Sequence, residues 1–220
     1  MLIEEVIKSS GENEVHISLI GMSNIGKSHW AKRLAAEAGF EWVDCDLMVE
    51  QKLTAQLAEF NYKGIEGVAA WMGFPFDPQY PETSRIYIDC EKAVMLEVID
   101  KLRAAPPGGK PLVVDTTGSV IYTGSEIAEE LGKLSRIVYL EASRDHVAEL
   151  FSRYMTFPKP LIWDNIHAPR AGESPQQAMM RAYPQLLDSR ARRYAEIAHV
   201  TIPFEQHRKT NAVMDSCVKR

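Results

Sequence analysis

Cysteine is scarce in this chain. There are three in 220 residues, Cys45, Cys90 and Cys217. The number is odd, the spacing is wide and no CxxC pair occurs, so a disulfide scaffold is excluded and free thiols in a reducing compartment are expected. Long apolar runs are missing as well. None approaches the roughly 20 residues needed to span a bilayer. The start, MLIEEVIKSSGENEVH, has no apolar h-region and is not read as a signal peptide. The expected location is the cytoplasm. Positive charge is in deficit: Lys and Arg total 25 against 30 Asp and Glu, a net charge of −5. That balance argues against nucleic acid or an anionic membrane as partner, but it leaves room for a local basic pocket. The six histidines, His16, His29, His146, His167, His199 and His207, show no metal-ligand spacing. There is no internal repeat and no low-complexity tract.

What remains is ordinary globular material, 45% hydrophobic and 25% charged, which is enough for a core without staples. The length reads as a single domain over 1–220. Residues 15–20 (VHISLI) and 40–43 (FEWV) read as strands, as do 112–115 (LVVD), 136–141 (RIVYLE) and 199–203 (HVTIP). Helical patterns cover 27–38, 46–59, 84–104, 143–154 and 176–197, with Gly39 stopping the first. Strands alternating with helices predict an α/β fold, a parallel sheet covered on both faces. The stretches 60–84 and 155–175 hold much of the Pro and Gly and are expected to be irregular insertions, the first within a substrate region of about 54–92, the second a lid.

The sharpest motif is GMSNIGKS, residues 21–28. It fits G-x-x-x-x-G-K-[ST], follows a predicted strand and opens a predicted helix, the context in which such a loop cradles phosphate. Gly21 and Gly26 allow backbone geometry that other residues resist. The loop amides around Asn24 and Ile25 would converge on phosphate at the helix N-terminus, with His29 just inside it. Lys27 would reach the β- and γ-phosphates and Ser28 would ligate Mg²⁺.

Acidic residues follow two other strands. In Asp44-Cys45-Asp46, Asp44 is a candidate for Mg²⁺ and Asp46 for taking the proton of an acceptor hydroxyl. The alternative is a helix N-cap, with Asp46 opening the next helix. Asp115, in LVVDTTGS, is a second Mg²⁺ candidate, and Gly118 would let a substrate approach the backbone; here the alternative is a plain turn capped by Thr117 or Ser119. Arg153, Lys159, Arg170 and Arg190 lie in or around the expected lid and could neutralise a transferring phosphoryl group, although for any single one a solvated surface charge is the usual outcome.

In this order the motifs resemble the shikimate kinases, a branch of the P-loop small-molecule kinases. GMSNIGKS looks like their Walker A loop, FEWVDCDLMVEQ like their Asp-x-Asp strand, KPLI (159–162) like their lid motif, and SRARRYAEIAHVTI like their closing segment. The resemblance implies a three-layer fold with a five-stranded parallel sheet in the order 2-3-1-4-5. It implies ATP and Mg²⁺ as cofactors and a small hydroxyl-bearing substrate, with the protein a monomer or weak homo-oligomer. It makes Asp44 the Mg²⁺-side carboxylate, Asp46 the hydroxyl-side carboxylate, Lys27 and Lys159 the charge-stabilising groups, Arg153 the arginine on adenine, and Arg190 the substrate-carboxylate arginine. The chain departs from the pattern where the acceptor is held. One glycine, Gly118, stands in place of three. If Glu91 is the family's helix glutamate, Ile88 occupies the arginine position, with Arg85 one turn earlier. Lys159 replaces an arginine, and a lysine lacks the bidentate fork. Another polyol, sugar acid or nucleoside as acceptor, or a non-catalytic nucleotide-binding regulator, therefore stands beside shikimate as a reading.

Overall fold

The structure is a computed structural model that describes residues 15–208 except 144, 146 and 165. The expectations for the N-terminal start, His146, and the tail with Cys217 lie outside the described residues. Strand β1 (Ile17–Ile20) is buried at every position, as a central strand covered on both faces must be. It runs into the phosphate loop and helix α1 (Lys27–Ala38). Gly39 ends that helix in the left-handed conformation, its N–H closing on the Leu34 carbonyl. Strands β2 (Glu41–Asp44), β3 (Leu112–Asp115), β4 (Arg136–Leu140) and β5 (Val200–Ile202) complete a sheet in the order β2-β3-β1-β4-β5. All four pairings are parallel. The order is the expected 2-3-1-4-5.

Parallel strands put all their carboxyl ends on one edge, and the register sharpens this. Asp44 of β2 stands beside Asp115 of β3, which in turn stands beside Leu19 of β1, two residues before the phosphate loop. Ligands bind outside this edge in open α/β sheets.

The helices differ from expectation in several places. Helix α2 (Cys45–Lys52) starts at Cys45, and its N-cap is Asp44, whose Oδ1 accepts from the Leu47 N–H at 3.0 Å; Asp46 is inside the first turn and not the cap. The expected helix over 46–59 breaks at Leu53 into α2 and a short α3 (Thr54–Ala58). Residues 60–84 are not wholly irregular: α4 (Gly64–Met72) buries Val68, Ala69, Trp71 and Met72. Its two glycines hide the helix in the sequence, but Gly67 is required there, since a Cβ would lie 3.0 Å from that of Tyr62. Helix α5 (Tyr80–Ala104) begins before residue 84 because Pro81 is tolerated in a first turn.

A 3₁₀ turn (Val120–Tyr122) and an amphipathic α6 (Ser125–Leu134), with Ile127 and Leu131 buried, link β3 to β4, where no helix was expected. Helix α7 (Val147–Thr156) leads into residues 157–174, whose described residues carry no regular helix or strand. Part of that stretch is nonetheless core, for Leu161 and Trp163 are buried. The Tyr80 hydroxyl holds it from α5, donating to the Leu161 carbonyl at 2.8 Å and accepting from the Trp163 N–H at 2.9 Å. Helix α8 (Pro175–Ile197) opens with a complete capping box between Ser174 and Gln177. Among the described residues no helix is long and apolar enough to cross a membrane.

Candidate active site

The loop after β1 is shaped by positions that exclude a side chain. Gly21 has φ 141°, and a Cβ there would sit 2.6 Å from the Leu140 carbonyl oxygen of β4. Gly26 has φ 110° and caps α1 without a side chain, while Asn24 takes φ 63°. The turn aims the free amides of the first helical turn at a cavity of about 680 Å³. Ser23, Asn24, Gly26, Lys27, Ser28 and His29 line its floor. Ile25 does not, since its side chain is buried in the core and anchors the loop from below.

Lys27 is almost fully buried. Its Nζ donates to the Gly21 and Met22 carbonyls at 3.0 and 3.1 Å, which holds it over the loop. Burial lowers its pKa, and the charges of Asp115 and Asp46 act the other way. Asp115, also buried, lies beside the Ser28 hydroxyl. Burial raises the Asp115 pKa, opposed by Lys27 and by that hydroxyl. Asp44 is committed through Oδ1 to capping α2 beside it. Within the described residues no cluster of three His, Cys, Asp or Glu could hold a metal ion. Mg²⁺ does not need such a cage, because it keeps several waters and takes one or two protein ligands plus phosphate. Ser28 with Asp115 is a donor set of that kind.

Asp46 lines the same cavity. Burial pushes its carboxyl up to about 6, with Lys27 pulling it down and Asp115 and Asp44 pushing it further up. A carboxylate poised there is basic enough to accept a hydroxyl proton and still ionised at neutral pH.

Gly118 also lines the cavity, and its lack of a side chain serves the protein itself. A Cβ would meet Ser23 Oγ at 2.7 Å and the Ser23 nitrogen at 3.1 Å, so the turn after β3 packs directly on the phosphate loop. Thr117 brackets that turn, accepting from the Ser119 N–H at 3.1 Å and donating to Glu91. Glu91, on α5, is wholly buried; burial raises its carboxyl to about 8, and its Oε2 has no partner.

The cations divide. Arg153 and Lys159 line the cavity; Arg153 pairs with Glu149 at 2.8 Å and Lys159 with Glu66 of α4 at 2.5 Å. Arg190 does not line it. It is fully buried behind Gly118, with Nη1 donating to the Ile162 carbonyl at 3.1 Å and Nη2 to the Gly118 carbonyl and to the Tyr194 hydroxyl at 3.2 Å. The Tyr122 and Tyr194 rings flank its guanidinium. Arg85 is exposed on α5, 3.5 Å from Asp89, and is not brought to the cavity. Tyr87 and Glu91, four residues apart, define the inward face of that helix, and Arg85 lies off it. Arg170 is likewise exposed and away from the cavity. Glu66, Ser23 and Phe157 line the cavity although the sequence does not mark them as site residues. Of these only Ser23, inside the motif, carries a signal that could point to it.

No protein-family model matches the chain, and no curated protein sequence matches it. Among solved structures it is similar to shikimate kinase from Acinetobacter baumannii in complex with shikimate, at 22% identity over 97% of this chain and 98% of that one, with a TM-score of 0.57. It is similar to shikimate kinase from Bacteroides thetaiotaomicron at 16% identity, 94% and 99% coverage, TM-score 0.56. The corresponding values for shikimate kinase from Aquifex aeolicus are 13%, 92% and 95%, and 0.54. At these identities the likeness is one of fold, and the chain has the fold of the shikimate kinase-like P-loop kinases.

Proposed function

We propose that the protein is an ATP- and Mg²⁺-dependent kinase that phosphorylates a hydroxyl group of a small metabolite. The observation that carries this reading is the meeting of Lys27, Ser28 and Asp46 at one cavity over the phosphate loop, with Asp115 buried beside Ser28. The loop amides and Lys27 would hold the β- and γ-phosphates, and Arg153 would lie over the base. Mg²⁺, held by Ser28 and Asp115, would neutralise charge between those phosphates. The acceptor oxygen bonds to the γ-phosphorus while the bond to the β,γ-bridging oxygen breaks, ADP leaves, and the hydroxyl proton passes to Asp46. Lys159 stands at the rim, where it can add positive charge to the transferring group. A reducing, ATP-containing compartment such as the cytoplasm suits an enzyme with free thiols at Cys45 and Cys90.

The test is acceptor-stimulated ADP release by the purified protein, beside its Lys27→Ala variant. Stimulation that Lys27→Ala abolishes while the fold survives supports the reading. Thermal stabilisation by ATP with no ADP release for any hydroxyl acceptor replaces it with a non-catalytic nucleotide binder.

A further inference from the structure

Two side chains of α8 hold together parts of the cavity wall that they do not themselves line. The first part is the stretch that carries Lys159. Arg190 Nη1 donates to the Ile162 carbonyl at 3.1 Å. From α5, the Tyr80 hydroxyl bonds the flanking Leu161 carbonyl and Trp163 N–H at 2.8 and 2.9 Å. The chain is thus fixed just after Lys159, which stands at the cavity rim.

The second part is the phosphate loop. Arg190 Nη2 donates to the Gly118 carbonyl and to the Tyr194 hydroxyl at 3.2 Å. That hydroxyl also donates to the Gly118 carbonyl and lies 4.0 Å from the Met22 sulfur. Gly118 in turn packs on Ser23, so closely that a Cβ would sit 2.7 Å from the Ser23 Oγ. Met22 and Ser23 belong to the loop GMSNIGKS. Arg190 Nε has no partner, so only the terminal nitrogens make this connection.

The bonded partners of this buried charge are carbonyl and hydroxyl oxygens, a costly place for a guanidinium. What a guanidinium offers there is a rigid fork, which bridges two acceptors at once from fixed positions. Its two acceptors, the Ile162 and Gly118 carbonyls, belong to segments far apart in the chain and on either side of the expected γ-phosphate.

Resting on the kinase reading above, we propose that Arg190 and Tyr194 are positioning residues that tie the Lys159 stretch to the phosphate loop and set how tightly the loop and Lys159 grip the nucleotide. Tyr194 acts through Gly118 and Met22 on the loop, which holds ATP and ADP alike. Arg190 acts on the loop and also, through Ile162, on Lys159, whose charge serves the γ-phosphate that ADP lacks.

The experiment is calorimetric titration of the full chain with Mg·ATP and Mg·ADP, in wild type, Tyr194→Phe and Arg190→Lys, with a urea midpoint for each. Tyr194→Phe keeps the ring stacked on Tyr139, 5.1 Å between centroids, and removes the hydroxyl alone. Its Kd is expected to rise about threefold to tenfold for both nucleotides, the scale of one lost hydrogen bond. Arg190→Lys keeps the charge and loses the fork; the preference for ATP over ADP is expected to fall about threefold or more on top of the shared loss. Unchanged nucleotide affinities with a lower urea midpoint make both residues merely structural and overturn the proposal. So does a rise confined to the acceptor KM, which would assign Arg190 to the acceptor. An unchanged ATP-to-ADP ratio in Arg190→Lys overturns the link to Lys159. If Arg190→Lys does not fold, Tyr194→Phe alone decides the link to the loop, and Ile162→Pro is not needed to do so. Wild type that binds neither nucleotide overturns the kinase reading itself, whereas wild type that binds both while the variants match it overturns only the proposal.

Discussion

Lys27 and Asp46 line one cavity and act on each other: the lysine charge lowers an Asp46 pKa that burial has raised, and the Asp46 charge raises a Lys27 pKa that burial lowers. The balance leaves Asp46 at about 6. A protonated carboxyl cannot accept a hydroxyl proton, so kcat/KM is expected to fall as pH drops below about 6. The pH–rate profile checks this. Asp46→Asn should remove that limb and lower kcat about 10²–10⁴-fold while ATP still stabilises the protein.

Lys27→Ala removes the cation nearest the expected γ-phosphate. Turnover should fall by about 10²–10³-fold or more. ATP-dependent thermal stabilisation should weaken with it, while circular dichroism stays that of a folded α/β protein.

Gly118→Ala puts a methyl group 2.7 Å from Ser23 Oγ and 3.1 Å from the Ser23 nitrogen. Either the phosphate loop or the turn after β3 must yield. A stability loss of about 1–3 kcal/mol is expected from such overpacking, read by urea denaturation, together with a raised KM for ATP.

Glu91 gives a pH dependence of stability opposite in sign to the usual carboxylate. Its folded pKa is raised from 4.5 to about 8. The unfolded chain therefore ionises first, and the stabilisation is complete below about 4.5 and lost as pH rises toward 8. Urea midpoints should fall between pH 5 and 8, and Glu91→Gln should flatten that fall, because its side chain stays neutral throughout.

Arg190→Leu leaves the Ile162 carbonyl and the Tyr194 hydroxyl without their Arg190 donor and takes from the Gly118 carbonyl one of its two donors, the other being the Tyr194 hydroxyl. A destabilisation of about 3 kcal/mol is expected. If Arg190 instead serves a substrate carboxylate, the variant will keep its stability and lose acceptor affinity, which acceptor titration would reveal.

Much of the fold is legible in the chain itself. The apolar run at 17–20, the glycine-framed loop and the helix former run at 27–38 specify a strand, a phosphate cradle and a helix in immediate succession, because their physics is local: φ at Gly21 and Gly26, amides at a helix start, and Gly39 as a stop. Alternation of strands and helices points to the parallel sheet for the same reason. The helix at Gly64–Met72 is hidden because burial of Val68, Trp71 and Met72 overrides two helix-weakening glycines, an effect that exists only once α2 and α5 are in place to bury them.

The functional assignments divide along the same line. Lys27, Ser28 and Asp115 follow from the motif and from a strand that must end where the others end. Asp44 as cap and Asp46 as cavity carboxylate could not be told apart in sequence, since both suit either role; the hydrogen bond to Leu47 and the turn of α2 separate them. Arg190 and Glu66 are decided by tertiary structure alone. An arginine reads as a solvated or ligand-binding charge until its neighbours are known, and in this fold Gly118, Ile162 and Tyr194 take its Nη1 and Nη2 donors while its buried Nε has no partner. Sequence determined where phosphate would be held, because a backbone turn does that within eight residues. Which charges remain free to choose an acceptor depends on pairings between α4, α8 and the segment after α7, and long-range packing alone sets those.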